Sequence, residues 1–141
     1  MVDEQLILRK LSDLQEYLDQ IQEFGGITVR QYGTDWKAQR IIERTLQMMI
    51  ECCIDVAGHI ISEKAFRTPT AYTEMFGILH ENGLIEASLL SALQKMARCR
   101  NLIVHRYDRI DAEIIVGILK KNLGDFIRFQ DAVLAFLKSD R

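Results

Sequence analysis

Arg100, Asn101, His105 and Tyr107 fall within eight consecutive residues, Arg100-Asn101-Leu102-Ile103-Val104-His105-Arg106-Tyr107. A planar guanidinium can bind a phosphate through two hydrogen bonds and keeps its charge throughout a reaction. An imidazole exchanges its proton near neutral pH, so it can act as general acid or base. Together the two suit cleavage of an RNA phosphodiester without a metal. The imidazole would take the proton of the 2′-hydroxyl or protonate the leaving 5′-oxygen, and the guanidinium would hold the charge of the pentacoordinate phosphorus. The product expected is a 2′,3′-cyclic phosphate or the 3′-phosphate derived from it. An arginine and a histidine near a helix end also serve as plain carbonyl caps or surface ion pairs, so the residue types alone do not decide. The neighbourhood adds weight. Lys95, Arg98, Arg100, Arg106 and Arg109 put five cations within fifteen residues, with Asp108 the one acid, in a chain of formal net charge −2. That local excess marks a candidate anion site.

Geometry constrains the pair. On a straight helix residues five apart point about 140° from each other, at ~100° per residue. For Arg100 and His105 to meet one substrate, the helix must end or distort between them, or the two must act from different subunits. A break ahead of Asp111, which reads as an N-cap, favours the first.

The elements that must carry this segment read as helices. Ile7, Leu11, Leu14, Leu18 and Ile21 recur at alternating steps of four and three, behind Asp3 as N-cap, and Gly25-Gly26 stops the run. Residues 25–33, with three glycines, are expected as a loop. A second helix should begin at Thr34 or Asp35 and reach about Lys64 on the seam Ile42, Leu46, Met49, Cys53, Val56 and Ile60, with a second stripe of Ile41, Met48 and Cys52 making it central. A turn holding Pro69 leads to a short third helix through Tyr72, Phe76 and Leu79, ending at Asn82-Gly83. The fourth runs from about Glu86 into the Arg100 region with Leu89, Leu90, Leu93 and Met96 inward. The fifth, opened by Asp111 with Glu113 in its first turn and Ile110 and Ile115 as a staple, continues to about Lys138 on Ile115, Ile118, Leu119, Phe126, Phe129, Val133 and Phe136. No strand-like alternation competes. The expectation is an all-α, single-domain antiparallel bundle of about five helices over residues 1–141.

Composition fits a chain of this kind. Hydrophobic residues make up 48% and charged residues 27%, and one proline and eight glycines leave room for long helices. The net charge of −2 excludes wholesale coating of nucleic acid, which draws on many Lys and Arg contacts, but allows a local basic cleft. Three cysteines without a CxxC pairing are no disulfide framework and suit a reducing compartment. With no leader-like N-terminus and no apolar run of membrane-spanning length, a cytoplasmic location is expected.

The eight-residue segment resembles the R-x4–6-H motif of the HEPN superfamily and is most similar to its HepT-like branch, whose usual form is Arg-Asn-x-x-Val-His-x-Tyr. Arg40 to Arg44 leading into Glu51-Cys52-Cys53-Ile54-Asp55-Val56-Ala57-Gly58-His59-Ile60-Ile61 is similar to that family too, as is the stretch from Pro69 to Leu79 with Gly83 following. The resemblance implies a helical bundle that forms a homodimer and brings two motifs to one cleft. It implies a metal-independent endoribonuclease, without cofactor, used as the toxin of a type II toxin–antitoxin pair against mRNA or tRNA. The implied partner is an MNT-type nucleotidyltransferase antitoxin that can adenylylate the motif tyrosine, here Tyr107, so that added bulk and phosphate charge keep RNA out. Arg100 would then bind phosphate, His105 do acid–base work, and Asn101 hold the turn or contact substrate. Tyr107 would contact substrate and take the modification. The rival is a non-catalytic HEPN module that binds a nucleotidyltransferase or its nucleotide at the same segment.

Other residues carry less. Glu51, Asp55 and His59 step by four along the second helix and read either as a solvated face or as a support that aims Asp55, with Glu51 or His59, at the motif; Arg106 joins Asp55 and Glu51 as a supporting candidate. Adjacent Cys52 and Cys53 diverge on a helix and no ligand spacing recurs, so no metal is expected at His59, His80 and the cysteines. Cys99 reads as core, His80 as a cap of the third helix, and Trp36 and Tyr72 as packing or partner-contact residues.

Overall fold

The computed structural model describes residues 2–105 and 110–140. Among the described residues every regular element is helical. Asp3 Oδ1 accepts from the Leu6 amide at 3.1 Å and opens α1 (Glu4–Ile21). Its whole 3.5-period seam, Ile7, Leu11, Leu14, Leu18 and Ile21, is buried. Each such side chain contributes about 1.5–3 kcal/mol relative to an exposed one, which holds α1 lengthwise against its neighbour. That neighbour is α3 (Trp36–Glu63), a helix of 28 residues that Asp35 caps by accepting from the Ala38 amide. Ile42, Leu46, Met49, Cys53, Val56 and Ile60 are all buried along it, and α4 (Tyr72–Glu81) and α5 (Ala87–His105) pack on it as well. The helix expected to be central is central.

Four expectations need correction. Residues 25–33 are not all loop: Thr28 and Gln31 form a reciprocal capping box that winds α2 (Val29–Thr34) and buries Tyr32. Gly33 sits inside that short helix because the box and the Tyr32 burial outweigh its propensity cost of about 1 kcal/mol. The second stripe on α3 is incomplete, since Ile41 is 51% exposed. The last long helix is two, α6 (Ala112–Lys121), capped by Asp111, and α7 (Leu123–Asp140). They part at Asn122, where the side-chain amide turns to Asp125 instead of continuing the turn. Finally, His80 does not cap its own helix: Nδ1 meets the Ile85 carbonyl at 2.8 Å, and Asn82 does the capping by donating to Ile78 O. Gly83 follows at φ +81, the left-handed position that a helix terminus gives to glycine.

Phe76 of α4 meets Phe129 of α7 edge to face at 6.0 Å, joining the two halves of the core. Among the described residues no helix is long and apolar enough to cross a membrane.

Candidate active site

α5 is continuous from Ala87 to His105, so no break separates Arg100 from His105. The expected distortion between them is absent, and the two nonetheless line one cleft. Asn101 and His105 are four apart and share a face, and the long Arg100 side chain reaches round the helix to join them. The cleft has a volume of about 520 Å³ and is walled by Arg100, Asn101 and His105 on one side, with the Pro69–Tyr72 stretch and Met75 opposite.

Arg100 is held on three sides. Its Nε and Nη2 donate to the same Glu51 Oε2, at 3.1 and 3.0 Å, and its Nη1 donates to Asn101 Oδ1 at 3.2 Å. Tyr72 stacks its ring 4.8 Å from the guanidinium carbon. The arginine side chain is 14% exposed and Glu51 33%, so the pair is only partly open to water. Three of the five guanidinium N–H groups are engaged among the described residues, which leaves two for an incoming anion. His105 is exposed at the last position of α5.

The candidate ladder on α3 therefore divides. Glu51 fastens Arg100, while Asp55 is exposed and meets Lys10 at 3.4 Å. His59 is half-buried. Arg106 and Tyr107, like Asp108 and Arg109, lie outside the described residues. Cys53 and Cys99 are buried and Cys52 half-buried, all as free thiols. Burial pushes the Cys52 and Cys99 thiols up to about 11, so neither is a thiolate near neutral pH. Among the described residues no group of His, Cys, Asp and Glu converges as a metal ligand set. Two contributors escape a reading of the sequence, Tyr72 as the stacking partner and the 69–71 stretch as the facing wall. Neither carries a local signal, because each matters only once α4 is laid against α5.

That wall is fixed by charge. Arg67 donates to both Glu74 and Glu81, and Glu74 also accepts from the Thr70 amide and hydroxyl. The Thr70 hydroxyl, with Arg67 and the Thr70 amide, holds the Glu74 carboxyl down to about 2, from an ordinary 4.5. A depressed folded-state value means the brace is fully present above the ordinary value and is lost as pH falls from 4.5 towards about 2. The Glu74→Gln variant should therefore lose less thermal stability than wild type across that window. Superimposable acid-side melting profiles would show that Glu74 braces nothing.

The family described as ribonuclease HepT-like matches residues 14–133. An mRNA nuclease HepT of Shewanella oneidensis is 31% identical over 130 residues, 92% of this chain and 97% of that protein. A tRNA nuclease HepT of Aphanizomenon flos-aquae is 31% identical over 108 residues, 75% of this chain and 72% of that one. Among solved structures, the tri-AMPylated Shewanella oneidensis HEPN toxin in complex with MNT antitoxin superposes with a TM-score of 0.85 at 30% identity, covering 96% of this chain and 99% of that toxin.

Proposed function

Because the chain belongs to the HepT-like ribonuclease family, we propose that it is a metal-independent endoribonuclease toxin of a type II pair, cutting mRNA or tRNA at the Arg100–His105 cleft. The observation that carries this reading is the fixed guanidinium, ion-paired to Glu51 and stacked on Tyr72, in one cleft with an exposed imidazole. A phosphodiester laid on the two N–H groups of Arg100 that are not engaged among the described residues presents its phosphorus towards His105. His105 as base takes the 2′-hydroxyl proton, the 2′-oxygen attacks phosphorus, and the 5′-oxygen leaves with a proton from an acid. One histidine cannot give and take in the same step, and a second copy of the motif across a homodimer cleft supplies the other. Arg100 stabilises the added negative charge from a position set before substrate arrives.

The partner in this reading is an MNT-type nucleotidyltransferase antitoxin in the cytoplasm. The relative solved in complex with such an antitoxin is AMPylated, and Tyr107, two residues beyond His105, is the acceptor we assign here. An AMP there adds an adenine and a phosphate two residues along the chain from His105, to compete with RNA for the same cation. The deciding measurement is cleavage of a mixed tRNA and mRNA pool by purified, AMP-free protein in EDTA. Fragments ending in 2′,3′-cyclic or 3′-phosphate are expected. Intact RNA would refute the nuclease reading and favour the non-catalytic module that binds a nucleotidyltransferase.

A further inference from the structure

Trp36 is the one tryptophan of the chain and is 62% exposed, at the first turn of α3. An apolar ring of that size standing in water at a helix start does no work for the core. It is also not alone: Lys37 Nζ lies 5.7 Å and the Arg40 guanidinium carbon 5.9 Å from its ring centre. Lys10, Lys64, Arg67, Arg100 and Arg128 each sit on a carboxylate. Lys37, Arg40 and Arg44 are exposed and meet none among the described residues. The two acids nearest in sequence are already committed, Asp35 to capping α3 and Glu43 to the Tyr32 hydroxyl.

Position along the helix gives this patch a direction. At ~100° per residue, positions 36, 40, 44, 47 and 51 fall within about 80° of one another on α3. Gln47 donates to Glu51 at 3.3 Å, and Glu51 holds Arg100. The stripe thus begins at an exposed aromatic flanked by cations and ends at Glu51, which fastens the Arg100 that lines the cleft. At ~1.5 Å per residue its length is about 22 Å, room for roughly six stacked nucleotides and fewer in an extended strand.

We propose that Trp36, Lys37, Arg40 and Arg44 form a track for single-stranded RNA, with a base stacked on Trp36 and backbone phosphates on the two arginines, leading the strand along α3 into the Arg100 cleft. Aromatic stacking beside an unpaired cationic stripe is the arrangement that binds single strands without reading their sequence, since every base offers a π-face and every nucleotide a phosphate. Duplex RNA keeps its bases stacked on one another and has none to offer Trp36. The track therefore selects unpaired substrate. This rests on the nuclease reading only for its direction, because the stripe ends at Glu51, which fastens Arg100.

The sole tryptophan makes the test direct. A single-stranded 2′-O-methyl oligoribonucleotide of about 20 nucleotides, which cannot be cleaved for want of a 2′-hydroxyl, should quench Trp36 fluorescence, and a duplex of equal length should not. By anisotropy of the labelled strand, Trp36→Ala should weaken binding about tenfold and Trp36→Phe should retain most of it. Arg40→Gln and Arg44→Gln should each lower the slope of log affinity against log salt by roughly 0.7. Unquenched fluorescence, equal affinity of wild type and Trp36→Ala, or quenching by a purified nucleotidyltransferase but not by RNA would overturn the track, the last assigning the face to a protein partner. The two readings fail separately. Protein that binds the uncleavable strand through Trp36 but cuts no RNA refutes the nuclease and leaves the track. Protein that cuts a long RNA with the same kcat/KM, relative to a dinucleotide, in wild type and Trp36→Ala refutes the track and leaves the nuclease.

Discussion

His105→Ala is expected to lower RNA cleavage by about 10²- to 10⁴-fold, the range that a positioned general acid or base supplies. The melting temperature should not move, because His105 is exposed at the end of α5 and its removal opens no cavity. The loss should fall on kcat more than on KM, since proton transfer belongs to the transition state and the ground-state contacts of the phosphate are made by Arg100. Cleavage by His105→Ala at the wild-type rate would remove His105 from the chemistry.

Arg100→Ala should cost about 10²- to 10³-fold in kcat/KM, as losing one preorganised cationic donor does elsewhere. Unlike the histidine variant, it should also destabilise the fold by roughly 1–2 kcal/mol, between the worth of an exposed ion pair and that of charged hydrogen bonds in a partly buried site. The reason is Glu51, a carboxylate 33% exposed that would be left with no guanidinium beside it. A second change separates the two effects. Glu51→Ala added to Arg100→Ala should recover much of the stability and none of the cleavage. If Arg100→Ala cut RNA normally, the ion pair would be a structural tie between α3 and α5 and no more. Arg100→Lys should stay poorly active, because an ammonium with three donors cannot reproduce the five-donor fork that meets Glu51, Asn101 and a phosphate together, nor stack flat on Tyr72.

Much of the architecture is legible in the residue pattern alone. The α1 and α3 seams stand out because each has a neighbour along its whole length, so every third or fourth position is apolar and buried. Ile41 shows where periodicity stops informing: it sits near the start of α3 on a side that remains 51% exposed, and its apolar side chain has no core to meet. The α6–α7 break is hidden for the opposite reason. Ile118, Leu119, Phe126 and Phe129 keep a helical rhythm across Asn122, so the pattern is continuous where the backbone is not. The signal that marks the break is local, a run of Asn122-Leu123-Gly124 with weak helix propensity. For α2 it is the Thr28-x-x-Gln31 box, masked by the flanking glycines.

The site is legible in its parts and not in its assembly. The motif singles out two residues, Arg100 and His105, that do line one cleft, yet the 140° argument leads to a helix break that does not occur. What that argument lacks is side-chain length: arginine carries its charge far enough from the backbone to turn a corner that a short residue could not. Glu51 stands among three equal candidates on α3, and nothing local distinguishes it from Asp55, because their partners, Arg100 and Lys10, are 49 and 45 residues away in sequence.

Glu51 belongs to α3, the most deeply packed helix, so the guanidinium of Arg100 is tied to the core of the bundle and not merely to the surface of its own helix. A free arginine side chain carries about 2 kcal/mol of rotamer entropy, which would be surrendered each time a phosphate arrived. With Glu51, Asn101 and Tyr72 already fixing it, that disorder is given up once, when the chain folds, and an arriving phosphate would find the cation already still.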